Sequence, residues 1–190
     1  MQFPSYSGTV NTICLLTYIT IYGIHDLVGI RKRTITNRQR LSPLTRIIYG
    51  IQVFISLTYV ADCIVVILKA SKSKDWDPNY VIFYDIGTFT AWVLNLSLMI
   101  YRGKKLGRWG FVNYCFQFLS LYFESVIFHY WITRFRSNKP GTAFSFYDQI
   151  LLCIIITRYI YLIIVSFALF IHAFLKNNLC KEFYNVYFSF

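Results

Sequence analysis

Apolar residues fill five long blocks of the chain, and the short stretches between them hold most of its lysines, arginines and prolines. The blocks fall at about 9–30, 44–69, 79–101, 109–133 and 146–175. Each exceeds the run of about 18 largely uncharged residues that lets an α-helix cross a hydrocarbon core roughly 30 Å thick. The alternation of about ten residues per strand that marks a membrane β-barrel is absent. The pattern predicts an all-α, polytopic membrane protein of about five transmembrane helices. It forms a single membrane domain, 1–190, whose last stretch, 176–190, is a short tail. No 20–50-residue repeat and no low-complexity linker divides it. Turn chemistry agrees with the breaks, since Pro78 in "DWDPNY" immediately precedes the third block and "SNKPGT" supplies a Pro-Gly turn before the fifth.

Composition sharpens this picture. The chain is 56% hydrophobic, 20% aromatic and only 14% charged, where a soluble domain carries about a quarter charged residues. A net charge of +11 in a soluble protein would point to nucleic acid. Here the basic residues sit in short loops, so the lipid bilayer is the expected partner and nucleic acid is not. Summed by side, lysines and arginines number six against twelve, with Arg158 left inside the fifth block. The richer side is cytoplasmic, which predicts a lumenal or external N-terminus and a cytosolic C-terminus. Its densest segment, "RKRTITNRQR", brings Arg31, Lys32, Arg33, Arg38 and Arg40 to the first loop. These set orientation and meet anionic headgroups, each adding on the order of 1 kcal/mol. No basic residue precedes the first block, so it reads as a retained helix and not a cleaved signal. Tyr101, Trp109, Tyr130, Trp131 and Phe135 crowd the block ends, as interfacial aromatic belts do.

Candidate chemistry is sparse. No GxxxxGK[ST] loop exists, and "RGKKLG" reads as a basic turn. His25, His129 and His172 lie on different blocks without metal-ligand spacing. The five cysteines, Cys14, Cys63, Cys115, Cys153 and Cys180, form no disulfide framework. Cys63 and Cys153 could approach one another or a soft metal, but buried cysteine is more often a small apolar filler. Asn95-Leu96-Ser97 is a formal glycosylation acceptor placed inside the third block, where it is unusable. With no nucleophile and base to assemble, neither an enzyme nor a cofactor is expected.

The ionisable residues inside the blocks carry more information. Asp62 interrupts "SLTYVADCIVVIL", Glu124 lies in the fourth block and Arg158 in the fifth. Counted from the centre of each block, they sit roughly six, three and two residues toward the lumenal side, nearly level at about 1.5 Å per residue. A charge facing lipid costs a few kcal/mol or more, so such groups turn inward and pair. The expectation is that Arg158 pairs with Glu124 across the bundle, with Asp62 as a second partner. Such a cluster is either a lock that fixes which helices are neighbours or a proton or ion relay. Small residues, Gly87, Ala91, Ser97 and Ser120, are available for close helix contact.

The segments "SLTYVADCIVVILKA", "YVIFYDIGTFTAWVLNLSLMI", "FESVIFHYW" and "FYDQILLCIIITRYIYLIIVSFALF" resemble helices two to five of the N-terminal accessory membrane domain of fungal vacuolar ABC half-transporters of the heavy-metal-tolerance type. The matched positions are the aromatic-x-Ala-Asp pattern at Asp62, the acid Glu124 and Arg158. "YGIHDLVGIRKR" also resembles the end of helix one in the related domain of vacuolar full-length conjugate exporters. The resemblance implies five helices, a lumenal N-terminus, a vacuolar membrane and a role in targeting or partner contacts, without transport activity. After about residue 176 the chain departs from that pattern and ends "NNLCKEFYNVYFSF". Three functions remain open at this point: a non-catalytic accessory membrane protein, a small carrier or proton-linked subunit using Asp62, Glu124 and Arg158, or a relic of a transporter gene.

Overall fold

The computed structural model describes residues 5–31, 43–72, 79–106, 109–136 and 145–176. They form five α-helices: α1 (Ser5–Arg31), α2 (Pro43–Lys72), α3 (Asn79–Leu106), α4 (Phe111–Arg136) and α5 (Phe146–Lys176). All five are long and apolar enough to cross a membrane. The last turns run further than the apolar blocks suggest, because Lys72 and Arg102 continue α2 and α3. Straight-chain basic residues are good helix formers and suit a helix C-terminus.

The helix starts follow local chemistry. Pro43 opens α2, where its missing N–H has no partner to lose. The Ser145 hydroxyl accepts the Asp148 N–H at 3.3 Å and caps α5. At α4 the Asn113 carboxamide reaches back to accept the Gly110 N–H at 3.3 Å, the reciprocal half of a capping box.

The helices pack as a closed ring in the order α1, α3, α2, α5, α4 and back to α1, with a further α3–α4 contact across the interior. That contact divides the inside into a triangle, α1, α3 and α4, and a four-sided space enclosed by α2, α3, α4 and α5. Cross-helix pairs fix the directions. Tyr49 reaches the Met99 carbonyl on α3 while Tyr59 and Tyr84 meet on one carboxylate, so α2 and α3 are antiparallel. Asn95 bonds Asn113 while Tyr84 bonds Glu124, so α3 and α4 are antiparallel and α2 runs parallel to α4.

The outer surface is as apolar as the interior. Ile13, Ile21 and Ile24 on α1, Leu57 and Ile64 on α2, Ile86 on α3, and Ile160 and Phe167 on α5 are all exposed. Among lipid tails, burying such groups between helices gains little, so packing fit and polar contacts decide which helices associate. Gly87 shows the fit: a Cβ there would run into the Thr12 methyl of α1. Ala91 and Ser120 are likewise buried. Ser97 is not at a contact; it faces outward and returns its hydroxyl to the Val93 carbonyl at 2.8 Å. The end aromatics also divide: Tyr101 and Phe135 face outward as a belt would, whereas Trp109 and Trp131 turn into the core. Trp109 does so because its indole N–H has a partner there, the Tyr49 hydroxyl at 3.0 Å.

Candidate functional site

Four helices bring their ionisable side chains to one level of the four-sided interior. On α2, Tyr59 and Asp62 are three residues apart and so share a face. α3 contributes Tyr84 and Asp85, α4 contributes Glu124, and α5 contributes Arg158. All six are buried, and Arg158, the longest of them, is only 1% exposed.

Arg158 touches both acids named from the sequence, in different ways. Its Nη1 donates a hydrogen bond to Asp62 Oδ2. Its Nε lies 3.2 Å from Glu124 Oε2, but the N–H does not point at that oxygen, so this contact is one of charge and not a directed hydrogen bond. The directed bonds to Glu124 come from two phenols: Tyr59 Oη and Tyr84 Oη donate to Oε1 at 2.6 and 2.7 Å. The guanidinium also lies 4.1 Å from the centre of the Tyr59 ring, a cation–π contact. One carboxylate oxygen thus collects two O–H donors, and one cation is shared by two acids.

Asp85 is the third acid of the layer. It is 2% exposed, lies beside the Cys63 thiol, and its Oδ2 has no hydrogen-bond partner. Asp62 Oδ1 is similarly unpartnered. Three carboxyl groups therefore stand around one guanidinium, and a dry interior does not hold a surplus of bare charge.

Two further ion pairs sit near the helix ends. Arg102, counted as a loop residue in the sequence, lies within α3, is 4% exposed and pairs with Asp26 of α1. Gly110 packs so closely on that guanidinium that a Cβ would collide with it. Lys69, at the last position of the second apolar block, lies within α2 and holds Asp148 of α5 at 2.6 Å. Of the first-loop group, Arg31 is exposed at the end of α1, and Lys32, Arg33, Arg38 and Arg40 lie outside the described residues. His25 and His129 are exposed. Cys14, Cys63, Cys115 and Cys153 are free thiols, and Cys180 and the 176–190 tail beyond Lys176 lie outside the described residues. Among the described residues no group of three or more His, Cys, Asp and Glu side chains is arranged to hold a metal ion.

Sequence reasoning missed Tyr59, Tyr84 and Asp85. Asp85 carries the same signal as Asp62, an acid inside an apolar run, and lies only six residues after Asn79, near the start of α3. The tyrosines were hidden among the 16 of the chain. Their signal is spacing, since Tyr59 lies three residues before Asp62 and Tyr84 directly precedes Asp85. Comparison with known family models, characterised proteins and solved structures finds no match for the chain.

Proposed function

We propose that the chain is a non-catalytic, multi-pass membrane protein that works by association, packing its outer helix faces against another membrane protein. The observation that carries this reading is the closure of the Arg158 layer. Arg158 and Glu124 are each 1% exposed, and their contacts are made to one another and to neighbouring helices, so no charged group is presented for chemistry. A polar layer spent internally locks helix order, and what the molecule offers a partner is its apolar exterior. The most open helix is α1, of whose most apolar stretch only 22% is buried, which makes it the favoured face for a partner helix. The distribution of lysine and arginine supports a lumenal N-terminus and a cytosolic C-terminus. Resemblance to the accessory domain of vacuolar ABC half-transporters supports an internal, vacuolar membrane.

The test is photo-crosslinking in native membranes from a benzophenone amino acid at Ile21 or Ile24, which are 58% and 57% exposed. A discrete protein adduct absent from an outward position on α5, such as Phe167, is expected. Lipid adducts alone at all three positions refute association through α1. A second reading, a proton-linked subunit, is favoured by one observation: the layer holds an acid more than its hydrogen bonds and cation account for, in Asp85. It predicts pH-dependent flux in vesicles that Glu124→Gln abolishes.

A further inference from the structure

Below the Arg158 layer lies a second polar layer, and helix geometry places its members together. On the parallel helices α2 and α4, Tyr59 and Glu124 meet across the interior. Seven residues earlier on each, two turns toward the N-terminus, stand Gln52 and Gln117. On the antiparallel helices the same step runs toward the C-terminus: Trp92 is seven residues after Asp85, and Ser166 is eight after Arg158. Ser120 lies between the two levels on α4. Gln52, Gln117, Trp92 and Ser166, from four helices, therefore face one interior roughly 10 Å below the Arg158 layer, with Ser120 above them.

None of these five has a protein partner for the groups that matter. Gln52 Oε1 and Nε2, Gln117 Oε1 and Nε2, Trp92 Nε1 and Ser120 and Ser166 Oγ are all buried without a hydrogen bond. Gln52, Gln117 and Trp92 are 0% exposed, Ser120 1% and Ser166 4%. A buried amide or indole without a hydrogen bond has given up its contacts with water and received nothing in exchange. Seven such atoms, brought by helix register to within about one turn of a single level, are more than packing alone accounts for. The set mixes donors and acceptors and carries no charge, so it fits a neutral hydrogen-bonding occupant and not an ion. Buried water takes two to four such bonds and collects where polar groups are otherwise orphaned.

We propose that Gln52, Trp92, Gln117, Ser120 and Ser166 form an internal binding site for water at the level below Arg158. The inference goes beyond association, since a lock between helices needs no such site. Water there also stands on the side of the acid layer toward which Ser120 leads, the position from which a proton would reach Glu124 or Asp85.

X-ray radiolytic labelling of the full chain in nanodiscs, read by mass spectrometry, tests it, because hydroxyl radicals made from trapped water modify only side chains beside that water. Trp92, at 0% exposure, is expected to be oxidised severalfold faster than Trp131, which is more exposed at 5% and packs under Arg134 near the end of α4. In the Gln52→Leu/Gln117→Leu double variant the Trp92 label is expected to fall to the Trp131 level. A wild-type Trp92 labelled no faster than Trp131 overturns the proposal, and that comparison stands even where the double variant does not fold. Label on Trp92 that survives the double substitution overturns it as well, since the glutamines would then hold nothing.

Discussion

Arg158 on α5 and Arg102 on α3 are both buried arginines of the same bundle, and they sit at very different depths along their helices. Arg158 lies twelve residues in from the start of α5, roughly 18 Å along the axis, and it has two carboxylates and a tyrosine face against it. Arg102 lies four residues from the end of α3, roughly 6 Å from that end, and Asp26 of α1 is among its partners. Similar burial thus stands at two different distances from the helix ends. The difference matters because near an end a long side chain can extend its polar head toward the interface, whereas at mid-length only other side chains can take the place of solvent. Depth, and not mere burial, therefore sets how much a charge depends on its partners.

The comparison predicts its own largest effect at Arg158. Arg158→Leu removes the cation and leaves Asp62, Asp85 and Glu124 facing one another in a closed interior. Breaking a buried pair from one side costs about 3–5 kcal/mol, so the variant is expected to lose folded yield and thermal stability in detergent. A fluorescence size-exclusion profile and unfolding midpoint unchanged from wild type would show that the layer contributes nothing to stability.

Arg102→Leu sharpens the comparison from the other side. It leaves Asp26 without its cation, but the Asp26 side chain retains 11% exposure and lies five residues from the end of α1. The expected loss is about 1–3 kcal/mol, that of a polar group left short of a partner, with the fold intact. A loss as large as that of Arg158→Leu, measured by the same unfolding midpoint, would mean that distance from solvent is not the controlling variable.

Much of this was legible in the sequence, and the boundary of legibility is physical. The five helices could be read because spanning length and apolar content are one-dimensional properties. Asp62, Glu124 and Arg158 could be singled out because a charge in an apolar run is conspicuous. What could not be read was neighbour order: the ring places α3, not α2, against α1, and only that order brings Asp26 to Arg102 and keeps it from Arg158. Polar stripes that run through both layers lay in plain view as Gln52, Ser56, Tyr59 and Asp62 on α2 and Asn113, Gln117, Ser120 and Glu124 on α4, each set stepping by three or four residues. Uncharged polar residues at that spacing stand out weakly against so many aromatics, and apolar content averaged over a span conceals them. Trp109 and Trp131 failed as belt residues for a related reason: their position along the helix is legible, while the side they face depends on which helices lie alongside.

The smallest expected effect falls on Lys69, and it separates depth from pairing as such. Its bond to Asp148 at 2.6 Å is as short as the phenol contact on Glu124, so a view based on contact distance alone would rank the two alike. Yet Lys69 lies three residues from the end of α2, and the two side chains keep 15% and 9% exposure. Solvent at that level supports either charge without the other, which holds such pairs to about 0–1 kcal/mol. Lys69→Met should therefore lower the unfolding midpoint slightly, and the difference from wild type should vanish at about 1 M salt, where screening acts over roughly 3 Å. The deficit of Arg158→Leu should persist at the same salt, because ions do not enter its layer. If salt erased both deficits, or neither, the contrast between the ends and the middle of the bundle would lose its electrostatic basis.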